Sequence, residues 1–189
     1  MKNFILWIAM AALPLFFVTS CEKNEPDDPI IPNEEEVITT LNFTLIPIGV
    51  GNTVVLSFQD LDGNGGSAPT ISGGILDTNT TYTGSLELLN ELESPALDIT
   101  EEVQNEAEEH QFFFQTSIDG MNIIYDDMDA NGNPIGLSTL ITTNGASAGS
   151  LTVILRHEPD KNASGVSIGD ITNAGGETDI EIVFDVVVE

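Results

Sequence analysis

The C-terminal run Ile180, Ile182, Phe184, Val186 and Val188 alternates with Asp179, Glu181 and Asp185, and no other feature constrains the fold of this chain so tightly. Successive side chains of a strand point to opposite faces, whereas a helix repeats every 3.6 residues, so this segment can bury one apolar face only as a strand. The same period recurs upstream in Leu41, Phe43 and Leu45, in Val54, Leu56 and Phe58, in Tyr82, Leu86 and Leu88, and in Phe112 and Phe114. Leu151, Val153 and Leu155 alternate with Thr152, Ile154 and Arg156. Between these runs lie turn-forming clusters, Asp62-Gly63-Asn64-Gly65, Asp119-Gly120, Asn131-Gly132 and Gly175-Gly176. Helical spacing occurs once, from Ile99 to about Glu109. There Asp98 is the cap, Glu101 holds the reciprocal position, and Ile99, Val103 and Ala107 share a face. The pattern predicts an all-β fold: one antiparallel β-sandwich over residues 37–189 with one short helix, its path Ig-like, jelly-roll-like or Greek-key.

The other end of the chain is built differently. Lys2 precedes an apolar run from Phe4 to Val18, which stops at Val18-Thr19-Ser20-Cys21. A run of roughly 15 residues is shorter than the about 20 a bilayer span needs. A basic start, an apolar middle and small residues before a cut describe a secretory signal over residues 1–20. The cut site resembles the lipobox of bacterial lipoproteins, which implies that Cys21 is acylated and becomes the first mature residue. Cys21 is the only cysteine, so no internal disulfide can form. Residues 21–36 are rich in proline and carboxylates and have no periodic apolar face, so they are expected to act as an extended tether.

Removing residues 1–20 takes one lysine with it. It leaves 31 acidic side chains against Lys23, Arg156 and Lys161, a formal charge of −28. Nucleic-acid binding is excluded on that ground, because phosphate contacts need Lys or Arg to displace counterions.

The acidic segment after Cys21 is similar to the export signal of Bacteroidota lipoproteins. That implies lipid anchoring at the outer membrane, with the periplasmic or the outer face left open. Most of the mature chain resembles the Bacteroidota lipoproteins labelled "type 1 periplasmic binding fold superfamily". The resemblance is carried by Glu108-Glu-His-Gln-Phe-Phe-Phe114, Asn131-Gly-Asn-Pro-Ile-Gly-Leu137, Leu155-Arg-His-Glu-Pro-Asp-Lys161 and Gly175-Gly-Glu-Thr-Asp179. That label implies two α/β lobes. With a single helix in the pattern, the sandwich remains the expected fold.

Candidate chemistry is confined to a few residues. Asp60, Asp62 and Asn64, and again Asp127, Asp129 and Asn131, follow the first half of a calcium loop, D-x-[DN]-x-[DN]-G. The twelfth positions are Ile71 and Ser138 where an EF-hand needs a bidentate Glu, so only a β-hairpin loop for Ca²⁺ survives. The same residues make tight turns without metal, since Asp, Asn and Gly tolerate left-handed backbone and bond their own chain. His110 and His157 are the only histidines, and each extends the inward stripe of its strand. If strands alternate in direction, both histidines, both aspartate loops and the helix end with Glu106, Glu108 and Glu109 gather at one acidic pole. Such a pole suits Ca²⁺ through oxygens or a transition metal through imidazole and carboxylate; a histidine at a strand end also serves as a plain hydrogen-bonded residue. No nucleophile elbow, zinc-protease helix or phosphate loop is present. The expected function is therefore a lipid-anchored, non-enzymatic binding or accessory role in the cell envelope, beside an outer-membrane transport or assembly protein. A metal-binding accessory role for the two-histidine pole is the alternative.

Overall fold

The computed structural model describes residues 36–63 and 66–189. The signal segment, Cys21, the tether up to residue 35 and Asn64 lie outside the described residues. The chain divides into two units between Glu34 and Glu35, and the described residues all belong to the second. No helix among the described residues is long and apolar enough to cross a membrane.

The second unit is an all-β sandwich. Its strands are β1 (Thr40–Pro47), β2 (Val54–Gln59), β3 (Thr70–Ser72), β4 (Gly74–Leu76), β5 (Thr81–Asn90), β6 (Leu97–Asp98), β7 (His110–Thr116), β8 (Asn122–Tyr125), β9 (Ser138–Thr142), β10 (Ser147–His157) and β11 (Glu177–Val188). One sheet runs β3-β2-β1-β5-β9-β8 with β6 paired to β5, and the other runs β4-β11-β10-β7. The alternating apolar residues face inward as their spacing demands. Leu41, Phe43, Leu45, Leu56, Tyr82 and Leu88 from the first sheet meet Phe112, Leu151, Val153, Leu155, Phe184 and Val186 from the second in one continuous core. Among the described residues that core runs from Ile38 to Val188.

The run 70–76 divides between the sheets at Gly73. A Cβ there would stand 1.8 Å from the carbonyl oxygen of Asp185, so only glycine lets the chain cross so close to β11. After the crossing, β4 pairs with β11 in parallel, the one parallel pair in an otherwise antiparallel arrangement among the described residues.

Helix α1 (Ile99–Asn105) begins as expected: the Asp98 carboxylate accepts from the N–H groups of Thr100 and Glu101. It ends four residues sooner than the spacing suggests. The next carbonyls are claimed from outside the helix, Glu106 by the His110 ring and Ala107 by the Lys161 ammonium.

A second departure concerns the outer face of β7 and β10. Phe113 and Ile154 point away from the main core, where alternation places solvent. They are instead buried beneath the segment 158–176, against Val166 and Ala174, with Ala163 and Ile171 packed alongside. Gln111 ties this cover down by donating to the carbonyl of Val166 at 2.9 Å. Ile154→Ala is therefore expected to lower the stability of the domain by about 2–5 kcal/mol. Denaturant unfolding checks this, and a change within about 0.5 kcal/mol, as for an open surface site, would mean the cover does not pack there.

Candidate metal site

Strands β7 and β10 bring the two histidines together. They pair in register so that His110, the first residue of β7, lies directly across from His157, the last of β10. Their ring centroids are 4.5 Å apart and the planes are inclined by 40°. Both residues are buried.

The third member is Asp179, which alternation assigns to the outer, polar stripe of the last strand. The pairing of β10 with β11 shifts at Leu155 and Arg156: Leu155 faces Ile180, Arg156 faces Thr178, and the register steps over Asp179. This is a β-bulge, and its effect is to re-aim one side chain. The carboxylate of Asp179 is fully buried, with Oδ2 3.9 Å from His110 Nε2 and Oδ1 3.9 Å from His157 Nδ1. The turn before β11 is pressed against the same place, because a Cβ on Gly176 (φ +69°) would lie 2.2 Å from the carbonyl oxygen of His157.

The tautomer of His110 follows from its surroundings. Its Nδ1 lies 3.2 Å from the carbonyl oxygen of Glu106. A carbonyl only accepts, so Nδ1 carries the hydrogen, and in the neutral ring Nε2 presents a lone pair. That Nε2 is buried and has no hydrogen-bond partner. Burial, followed by the charge of His157, holds the His110 ring below its ordinary pKa, and the Glu106 carbonyl opposes this only in part. A neutral acceptor and a carboxylate thus face each other at a separation too long for a hydrogen bond.

The three donor atoms of His110, His157 and Asp179 lie within 4.8 Å of one another. Ligands about 2.0–2.1 Å from a tetrahedral ion stand roughly 3.4 Å apart, so these atoms would have to draw closer together to share one ion. More carboxylates ring the cluster. Glu109 Oε2 is 4.0 Å from His157 Nε2, and Glu36 and Glu106 form a further ligand group with His110. The Glu36 carboxyl is pushed up to about 7, first by burial, then by the hydrogen bond and charge of Glu102, then by Glu106 and Asp179.

The aspartate loops share the pole but not the cluster. A groove of about 570 Å³, bordered by Val37, Phe58, Asp60, Ile71 and Asp179, places the Asp60 loop beside the start of β11. Within that loop, Asp60 Oδ1 accepts from the N–H groups of Asp62 and Gly63, and Asp62 Oδ2 from that of Ser67. In the second loop, Asp127 accepts from Gly136 and Ser138, while Asp129 Oδ1 accepts from Asn131 and Asn133. Asn131 reaches Glu108. The remaining oxygen of Asp129 receives the Lys161 ammonium at 3.0 Å, and Lys161 also donates to the carbonyls of Ala107 and Pro134. Burial raises the Asp129 carboxyl, but the Asn133 N–H and Lys161 outweigh it and hold it below its usual range. The cation of this loop is Lys161, so these aspartates brace the turn rather than offer free oxygens to Ca²⁺. None of the candidate ligand groups of three or more His, Cys, Asp or Glu among the described residues draws on either loop.

Sequence reasoning found both histidines and missed Asp179. The bulge that turns it inward has no signature beyond Gly175-Gly176 a few residues before it. No family model, curated protein or solved structure matches this chain.

The raised carboxyl of Glu36 has a direction in pH. A carboxyl held higher in the folded state binds more protons there. Its stabilising contribution is present below the ordinary value of 4.5 and is lost as pH rises through about 7. With metal chelated, wild type and Glu36→Gln are expected to melt closely together near pH 5 and to separate by pH 8, the variant being the more stable. Parallel melting profiles across that range would contradict the placement of Glu36 among its carboxylate neighbours.

Proposed function

We propose that this chain is a lipid-anchored accessory protein of the cell envelope, with no enzymatic role, whose acidic pole takes up one divalent transition-metal ion through His110, His157 and Asp179. The observation that carries the metal-binding role is the arrangement at His110. Its Nδ1 is committed to a backbone carbonyl and its buried Nε2 is unpartnered and aimed at a carboxylate, the arrangement in which imidazoles bind metal. Two imidazoles and a carboxylate favour zinc, copper, nickel or iron over a hard ion such as Ca²⁺, which prefers six to eight oxygens. A formal charge of −28 on the chain after residue 20 draws cations toward the pole. The anchor is supported by the basic, apolar and small-residue succession that ends at Cys21, and the acidic stretch after it favours the outer membrane.

Titration calorimetry on the chain after residue 21 with Zn²⁺, Co²⁺, Cu²⁺ and Ca²⁺ tests the site. One transition-metal ion per chain is expected, with weak or no heat from Ca²⁺. At a free concentration of about 100 times Kd the ion adds about 2.7 kcal/mol of stability. His110→Ala, His157→Ala and Asp179→Asn should each abolish most of that gain. Absence of heat together with an unchanged melting temperature would sink the metal reading.

The anchor is tested separately, by fractionating cells that express the full chain. Wild type should partition with membranes, and Cys21→Ser should leave them. Equal partitioning of the two would remove the lipid anchor.

A further inference from the structure

An imidazole that binds metal through one nitrogen has its other nitrogen held by an acceptor, which fixes the tautomer and aims the ring. For His110 that acceptor is the Glu106 carbonyl at Nδ1, and Nε2 is left facing Asp179 Oδ2. His157 is turned the opposite way. Its Nδ1 faces the other oxygen of the same carboxylate, Asp179 Oδ1, at 3.9 Å, so the nitrogen on the far side of the ring is Nε2. Glu109 Oε2 stands 4.0 Å from that Nε2. Glu109 also closes the turn that Glu106 opens. Its N–H donates to the Glu106 carbonyl at 2.8 Å, and its carbonyl accepts at 2.6 Å from the N–H of Glu158, the residue directly after His157. The backbone of Glu109 is thereby pinned beside the end of β10, while its side chain is 58% exposed and has room to swing onto Nε2. Glu158 belongs to the same outer group of His157 and Glu109, and it too is exposed.

Resting on the metal reading above, we propose that Glu109 is the positioning residue of the site: its carboxylate accepts the Nε2 hydrogen of His157, which leaves Nδ1 to offer its lone pair to an ion beside Asp179. A neutral imidazole carries one ring hydrogen, so holding it on Nε2 makes Nδ1 the donor. A carboxylate at the outer nitrogen also makes the ring a more basic ligand. One turn, residues 106–109, then orients both imidazoles toward the two oxygens of Asp179, the first ring through a backbone carbonyl and the second through a side chain. Glu109 acts through His157 and does not itself touch the ion.

Nitrogen NMR of the untagged full chain in detergent, with ¹⁵N-labelled histidine and with and without saturating Zn²⁺, tests this directly. Only two imidazoles contribute, His110 and His157. In the Zn²⁺-loaded wild type, His157 should show metal on Nδ1 and hydrogen on Nε2, and His110 the reverse. Glu109→Ala should bind Zn²⁺ more weakly by about tenfold to a hundredfold. Glu109→Gln, whose amide oxygen still accepts a hydrogen, should recover part of that loss, and Glu158→Ala should stay within about twofold of the wild type. These side chains are exposed, so the variants are expected to fold, and melting with metal chelated checks it; the wild-type spectrum needs no variant. Metal on Nε2 of His157 would seat the ion in the outer group with Glu109 and Glu158, and would overturn the positioning role. So would Glu109→Ala binding as the wild type does, Glu109→Gln losing as much as Glu109→Ala, or Glu158→Ala losing as much as Glu109→Ala; in these three cases the three-residue site stands. If the wild type binds no ion, the metal reading falls first and this inference with it.

Discussion

Strand β10 is the member on which the second sheet depends. It pairs with β7 along one side and β11 along the other, and its inward residues Leu151, Val153 and Leu155 lie at the centre of the buried face. Because it is bonded on both edges, its register is not free to slip without turning its apolar set outward. That rigidity reaches the last residue of the strand. His157 is held opposite His110 by the same ladder that packs the core, and the two imidazoles are positioned by backbone pairing as well as by their own contacts.

The one irregularity in that ladder does the chemical placement. A regular β11 would turn Asp179 to the same side as Glu181 and Asp185, toward water. The shift beside Leu155 and Arg156 turns it inward, and a buried carboxylate then faces two imidazoles in low dielectric. Burying such a group costs several kcal/mol unless something compensates its charge. A metal ion held between the carboxylate and the two imidazoles would supply such a compensation.

The rest of the pole handles its negative charge in a different way. Lys161, one of three basic residues after residue 20, is spent inside the domain, where its ammonium reaches Asp129 and two carbonyls. It joins the cover segment, the turn after α1 and the Asp127 loop at a single point. The loop that looks like a calcium site thus already holds a cation supplied by the chain, while in the cluster of 110, 157 and 179 imidazoles stand beside the carboxylate. This contrast separates aspartates braced by the chain's own donors from one set facing two imidazoles within the same acidic pole.

Alternation in the sequence determined the strands, the sandwich, the inward stripes from Leu41 to Val188, and the meeting of His110 with His157 through strand parity. All of these follow from the period-two geometry of a strand, which is local. Asp98 likewise marks the start of α1 by its own cap. Tertiary structure alone decided the crossing at Gly73, the burial of Ile154 beneath the cover segment, the occupation of the Asp129 loop by Lys161 and the inward turn of Asp179. Each of these depends on an approach between residues far apart in the chain, and a repeat read along the chain carries no trace of what arrives from elsewhere.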